Sequence, residues 1–196
     1  MHDSQLLWKR LRAFPAEDYR IFKVASHEAA HPTTEVVRRF NVITCPDWVN
    51  VIALTPDDQV VMVRQHRAGT DTITLEIPGG MLDPGESPLD GGRRELLEET
   101  GYVADTWIHI GSVEPNPAIQ DNTCHTLLAL DARLEGPQQL DPGEAIEICT
   151  HPLDAVSGLI RSGEISHALV VAAMFHLLDV AGGWRRPEEV AIPSTV

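Results

Sequence analysis

Residues 79–102 read GGMLDPGESPLDGGRRELLEETGY and place Glu95, Glu98 and Glu99 within five residues of one another, after an earlier glutamate at Glu86. The ends of a helix can be read directly from this stretch. Ser87 is a good N-cap, because its hydroxyl can accept from an otherwise unpaired backbone N–H. Pro88 suits the first helical position, where its fixed φ fits and its missing N–H costs nothing. Gly101 stands where a left-handed C-terminal residue belongs. The spacing predicts a helix from Pro88 to Thr100. At about 100° per residue, Glu95, Glu98 and Glu99 fall within one arc of about 100°. Leu89 and Leu96, a heptad apart, form a neighbouring stripe that can pack on a sheet. Gly91 and Gly92 each cost about 1 kcal/mol relative to alanine inside a helix. Tolerating both suggests that another backbone packs close by.

The chain already carries a formal net charge of −14, so the crowding of carboxylates needs a reason. A solvated face with ion pairs to Arg93 and Arg94 is the ordinary one. Two features argue for more. Glu95 and Glu99 are a like-charged i,i+4 pair, which is destabilising unless neutralised. The cluster also lies at the C-terminal end of the helix, where the macrodipole favours cations. A divalent metal ion would remove both penalties.

The balance of 29 Asp+Glu against 15 Lys+Arg argues against non-specific nucleic-acid binding, which needs a basic footprint. An anionic small substrate stays compatible if a metal or a few placed arginines receive it. There is no run of eighteen apolar residues and no secretory h-region. Cys45, Cys124 and Cys149 are far apart without CxxC spacing, and read as apolar fillers. The expectation is a protein of the reducing cytoplasm, without membrane or nucleic-acid partners.

Along the chain, residues 1–20 allow a short helix before Pro15, and two strands follow over YRIFKVASHEAAH and TTEVVRRFNVIT. Cys45-Pro46-Asp47 closes this N-terminal β appendage, residues 1–46. The main domain, residues 47–181, opens with strands WVNVIALT and QVVMVRQHR around the turn at Pro56-Asp57-Asp58. TITLEIPGG is a third strand. WIHIGSV, CHTLLALDARL and EAIEICT are strand candidates after the helix, and two further helices follow Pro152 and Ser166. Residues 182–196 read as a peripheral tail. Strands around one central helix, with helices at the end, imply a mixed α/β (α+β) domain.

The quoted stretch resembles the Nudix box, the motif of hydrolases acting on nucleoside diphosphates linked to another moiety. That pattern asks for Gly, five residues, Glu, seven residues, then Arg-Glu-apolar-any-Glu-Glu-any-Gly-apolar. Gly80, Glu86, Arg94, Glu95, Leu96, Glu98, Glu99, Gly101 and Tyr102 fill every defined position. The resemblance implies an αβα sandwich with a mixed sheet. It also implies Mg2+, or Mn2+ in its place, held by Glu95, Glu98 and Glu99 with the Gly80 carbonyl as a further oxygen. Arg94 would orient the glutamates, partnered by Glu86. Mg2+ is hard, prefers oxygen and is usually held by carboxylates, substrate phosphate and water.

VRQHR (63–67), LEIPGG (75–80) and EPNPA (114–118) are similar to elements of Nudix enzymes acting on ADP-ribose and nucleotide sugars, and Pro117 lies fifteen residues after Tyr102. The implied activity is hydrolysis of ADP-ribose or a related nucleoside-diphosphate sugar to a nucleoside monophosphate and a sugar phosphate. The alternatives are other Nudix substrates (an oxidised nucleoside triphosphate, a dinucleoside polyphosphate or coenzyme A) or a nucleotide sensor without turnover. Arg64 and Arg67 are either an exposed basic edge or anchors for a phosphate or ribose. Glu76 is a candidate reader of a base or ribose hydroxyl, and Trp48 either stacks on a base or is buried. The general base is Glu144, or else Glu98 or Glu99 acting through a metal-bound water. His125 and His151 read as structural or surface residues. The resembled subgroup also implies a homodimer built with the N-terminal strands.

Overall fold

A computed structural model describes residues 6–180, so the tail expected at 182–196 lies outside the described residues. Strands β1 (Lys9–Asp18), β2 (Lys23–Ala30) and β3 (Val37–Thr44) form an antiparallel sheet in that order. The helix expected before Pro15 is absent: β1 runs straight through that proline. Two features make this possible. β1 pairs on one side only, and its register with β2 is interrupted between Phe14 and Glu17. A proline is tolerated at such an edge irregularity because no ladder bond needs its missing N–H.

The main sheet has seven strands. Its path runs β12 (Ile146–Pro152), β5 (Gln59–Arg67), β4 (Trp48–Leu54), β10 (Cys124–Leu130), β9 (Thr106–Val113), with β6 (Thr72–Glu76) on β5 and β7 (Gly79–Met81) on β4. The β4–β10 pair is parallel and the other pairs are antiparallel, so the sheet is mixed. β8 (Tyr102–Val103) and β11 (Arg133–Leu134) form a small separate ladder.

Alternation along the central strands builds two cores. Ile52 and Leu54 of β4, with Val60 and Met62 of β5, meet Val156 of α2 (Val156–Ser162) and Val170, Ala173 and Met174 of α3 (Ala168–Val180). Val51, Ala53 and Val61 face the other way and pack with Leu96 of α1 (Pro88–Thr100). Helices thus cover both faces of the sheet, giving the expected αβα sandwich. A central strand buried on both sides reads as a near-continuous apolar run, as VNVIAL does.

Helix α1 begins and ends as the sequence implies. Ser87 Oγ accepts from the Asp90 N–H, and Gly101, at φ 71°, donates its N–H to the Leu97 carbonyl. The helix glycines have a different cause from the one expected. A Cβ at Gly92 would meet the side chains of Leu127, Val51 and Val49, and one at Gly91 those of Leu82 and Glu86. Side chains rather than a backbone fill this space, so a smooth patch of helix can sit low on the sheet. Leu96 is fully buried as expected, whereas Leu89 is 37% exposed.

Gly101 is needed twice over, for its left-handed φ and because a Cβ would run into the Gly136 carbonyl. Gly101→Ala is expected to lose about 2 kcal/mol of stability, read from urea midpoints. A midpoint equal to the wild type would contradict this account of the helix end.

Candidate active site

The C-terminal end of α1 faces a cavity of about 540 Å³. Glu95, Glu98 and Glu99 line it together with Gly79 and Gly80 of β7, which runs beside the helix. This close approach depends on glycine: a Cβ at Gly80 would strike the Glu95 carboxylate, and one at Gly79 the Val49 carbonyl. The Gly79 N–H donates to Glu99 Oε2 at 2.9 Å.

Arg94 organises the cluster. Its Nε and Nη2 donate to the two oxygens of Glu86, both at 3.0 Å, and Nη2 also donates to the Met81 carbonyl at 3.0 Å. Nη1 donates to Glu95 Oε1 at 2.9 Å and Glu98 Oε2 at 3.1 Å. A guanidinium has five N–H donors, and all five are committed here. Arg94 is therefore positioned to orient glutamates, the role the resemblance implies, with Glu86 as its partner. Hydrogen bonds from Arg94 hold the Glu86 carboxyl below its ordinary range, against the opposing effect of burial and with help from the Asp83 backbone N–H and the Arg94 charge.

Glu99 is only 4% exposed. Burial pushes its carboxyl up to about 8; the Gly79 N–H and Arg67 oppose the shift, and Glu95 and Glu144 add to it. Burial likewise raises Glu95, partly offset by Arg94 and reinforced by Glu98 and Glu144. Negative charge is therefore under-compensated at this end of the helix. Among the described residues, no three His, Cys, Asp or Glu side chains already form a ready metal cluster; Arg94 instead spans Glu95 and Glu98. The donors still suit a hard divalent cation. They are all oxygen, they converge from one helix face, and one is buried where its charge is otherwise disfavoured.

Most of the other expected residues line the same cavity. Trp48 of β4, Arg67 of β5 and Glu76 of β6 all line the cavity, and Glu144 reaches it from the loop before β12, beside Gln139 and Asp141. Glu76 is 3% exposed, and both its oxygens are occupied: Arg67 Nε donates to one at 2.8 Å and Arg67 Nη2 to the other at 2.6 Å. It thus anchors Arg67; the sequence offered it as a candidate reader of a base or ribose hydroxyl. Arg64 does not join the cavity lining; its guanidinium faces Glu147 at 4.0 Å and Glu164 at 3.8 Å. Strand period explains this, because residues 64 and 67 cannot share a face of a regular strand. Gln65, two before Arg67, lines the cavity instead. Asn50, His167 and Leu169 also line it and were not anticipated.

A family model described as "NUDIX domain" matches residues 46–174. An "ADP-ribose pyrophosphatase" of Bacillus subtilis (strain 168) is 33% identical over 137 residues, covering 69% of this chain and 74% of that protein. A "Methanol dehydrogenase activator" of Bacillus methanolicus is 30% identical over 159 residues, covering 81% and 85%. Among solved structures, one titled "Crystal structure of ADP compounds hydrolase" superposes with a TM-score of 0.78 at 24% identity, covering 89% of this chain and 96% of that one. This last likeness bears on the fold.

Proposed function

The chain belongs to the NUDIX family and is a Nudix hydrolase; from that premise we propose a Mg2+-dependent pyrophosphatase that cleaves ADP-ribose or a related nucleoside-diphosphate sugar. The observation that carries this reading is one cavity lined by Glu95, Glu98, Glu99 and Glu144 together with Trp48 and Arg67. Its carboxylates suit a cation, and its indole and guanidinium suit a nucleotide's flat ring and anionic groups. The similarity to a relative named ADP-ribose pyrophosphatase supports the substrate class.

In this reading Glu95, Glu98, Glu99 and the Gly80 carbonyl hold Mg2+, or Mn2+ in its place. When bound, the ion offsets diphosphate charge and polarises a phosphoryl oxygen. Arg94 fixes the glutamates without touching substrate. Arg67, stiffened by Glu76, binds a phosphate or ribose oxygen, and Trp48 offers a stacking surface. A water oxygen bonds to one phosphorus while the bridging P–O bond breaks, and Glu144 accepts the water's proton. The leaving phosphate departs as the second product. Most of the protein's contribution is positioning and charge stabilisation, as in other phosphoryl transfers.

Residues 1–46 act in this reading as a separate appendage to the hydrolase domain and as the seat of a homodimer. The nearly full exposure of β1 supports that role. No described helix is long and apolar enough to cross a membrane. The reading itself places the enzyme in the cytoplasm, on a dissolved substrate.

A nucleotide panel with Mg2+ tests the substrate. AMP and ribose 5-phosphate from ADP-ribose are the expected products. Products from triphosphates or coenzyme A with none from ADP-ribose, or tight nucleotide binding without any product, would overturn it.

A further inference from the structure

A second polar constellation lies on the face of the main sheet that α1 covers, and none of its members lines the cavity. β9 and β10 slip in register between Thr126 and Leu127: Thr126 pairs with Gly111 but Leu127 with His109, which leaves Ile110 as an extra residue. In a regular strand, residues three apart face opposite sides. A bulge changes that, re-aiming a side chain, and so His109 and Ser112 come to share a face. His125, paired with Ser112 across the ladder, shares it too. Ser112 Oγ lies 3.0 Å from His109 Nε2 and 3.0 Å from His125 Nδ1. Two imidazoles thus aim one nitrogen each at the same point.

The other nitrogen of His125, Nε2, stands 3.6 Å from Asp47 Oδ2, beyond hydrogen-bond range but near enough for the carboxylate's charge to act on the ring. A carboxylate there favours the tautomer protonated on Nε2 and leaves the Nδ1 lone pair directed at Ser112. A carboxylate that accepts the other ring N–H orients a metal-binding imidazole, and a small approach of Asp47 to Nε2 would give it that role. Asp47 is itself fixed, accepting the Thr123 N–H on Oδ1 at 2.7 Å.

We infer that His109, Ser112 and His125 form a binding site for a borderline transition-metal ion such as Zn2+, Ni2+ or Cu2+, distinct from the oxygen site of the glutamates. Imidazole nitrogens suit these ions, whereas Mg2+ selects oxygen. The ion is bound by neutral His109 through Nε2 and His125 through Nδ1. With His125 Nδ1 accepting from the Ser112 hydroxyl, His109 Nε2–H is the donor to Ser112 Oγ, and that proton leaves Nε2 for Nδ1 by exchange with solvent as the ion binds. The Ser112 hydroxyl supplies a third donor and water completes the shell. Because the Asp47 carbonyl accepts the Leu82 N–H at 2.9 Å, occupancy braces β10 against the segment that follows Gly80.

Titrating tag-free protein with Zn2+ in excess Mg2+ tests this, read by calorimetry and by side-chain nitrogen NMR of the histidines. The His109 and His125 resonances are expected to shift together while those of His151 stay in place. His109→Ala with His125→Ala should weaken binding of this ion at least tenfold. Asp47→Asn should weaken it about tenfold, through the lost orientation of His125. His109 and His125 resonances unmoved at saturating Zn2+ would overturn the site, as would a folded double variant binding with wild-type affinity. If the double variant fails to fold, the NMR result on the wild type decides alone.

Discussion

Converting Glu98 and Glu99 together to glutamine is expected to lower kcat/KM at least about a thousandfold, since it removes charge both from the cation seat and from around the reacting phosphate. Folding should survive. The Gly79 N–H that donates to Glu99 Oε2 can donate equally to a glutamine oxygen, and a neutral side chain escapes the burial penalty that lifts the Glu99 carboxyl to about 8. The metal-free variant should therefore melt no lower than the metal-free wild type. Activity within a few fold of wild type would remove both residues from the site. A collapse in melting temperature would instead show that they serve the fold.

Arg67→Ala acts through a different part of the same cavity. It leaves the Glu76 carboxylate, 3% exposed, without its partner. Breaking a buried pair from one side costs 3–5 kcal/mol; Arg67 itself is 41% exposed, so water screens part of the loss and about 3 kcal/mol is expected near pH 7. The pH dependence carries the sign. In the wild type, burial pushes the Glu76 carboxyl up, but the hydrogen bonds from Arg67 and Thr74 and the Arg67 charge outweigh it and hold it below its ordinary range. A carboxyl lowered on folding contributes stability above its unfolded pKa, and this is lost as pH falls through the folded value. Without Arg67, burial dominates and the folded pKa rises. The variant is then favoured in acid and loses stability as pH rises. The gap between the two proteins should widen from pH 4 to pH 7 in urea melts, and Glu76→Gln added to Arg67→Ala should recover part of it. A gap independent of pH would contradict a buried charge pair.

Much of this arrangement can be read from local sequence because it is locally determined. Ser87, Pro88 and Gly101 delimit α1 through capping chemistry that depends only on neighbours, and the glutamates share a face by helix period alone. Burial on both faces follows from apolar runs such as VNVIAL, whereas the mixed sheet was what the resemblance carried by residues 80–102 implied. Errors arose where tertiary context decides. Pro15 stops a helix but not an irregular edge strand, and only the pairing with β2 distinguishes the two. Arg64 and Arg67 look alike as letters, yet strand period gives Arg67 and Gln65 to the cavity and turns Arg64 to Glu147 and Glu164. That period by itself assigns Gln65 to the face of Arg67. Asn50, two after Trp48 on β4, follows from the same period, whereas His167 carried no such signal because a distant segment brings it to the cavity. Glu76 looked available as a polar side chain facing away from Leu75, whereas its bonds to Arg67, nine residues earlier, depend on the β5–β6 pairing.

The central claim is that Glu95, Glu98 and Glu99 form the seat of a divalent cation. Anomalous diffraction from crystals soaked in Mn2+ tests it most directly. The predicted result is a peak at the C-terminal end of α1, within about 2.0–2.4 Å of glutamate oxygens and the Gly80 carbonyl. A clean map with no peak there, and Arg94 still spanning Glu95 and Glu98, would contradict it.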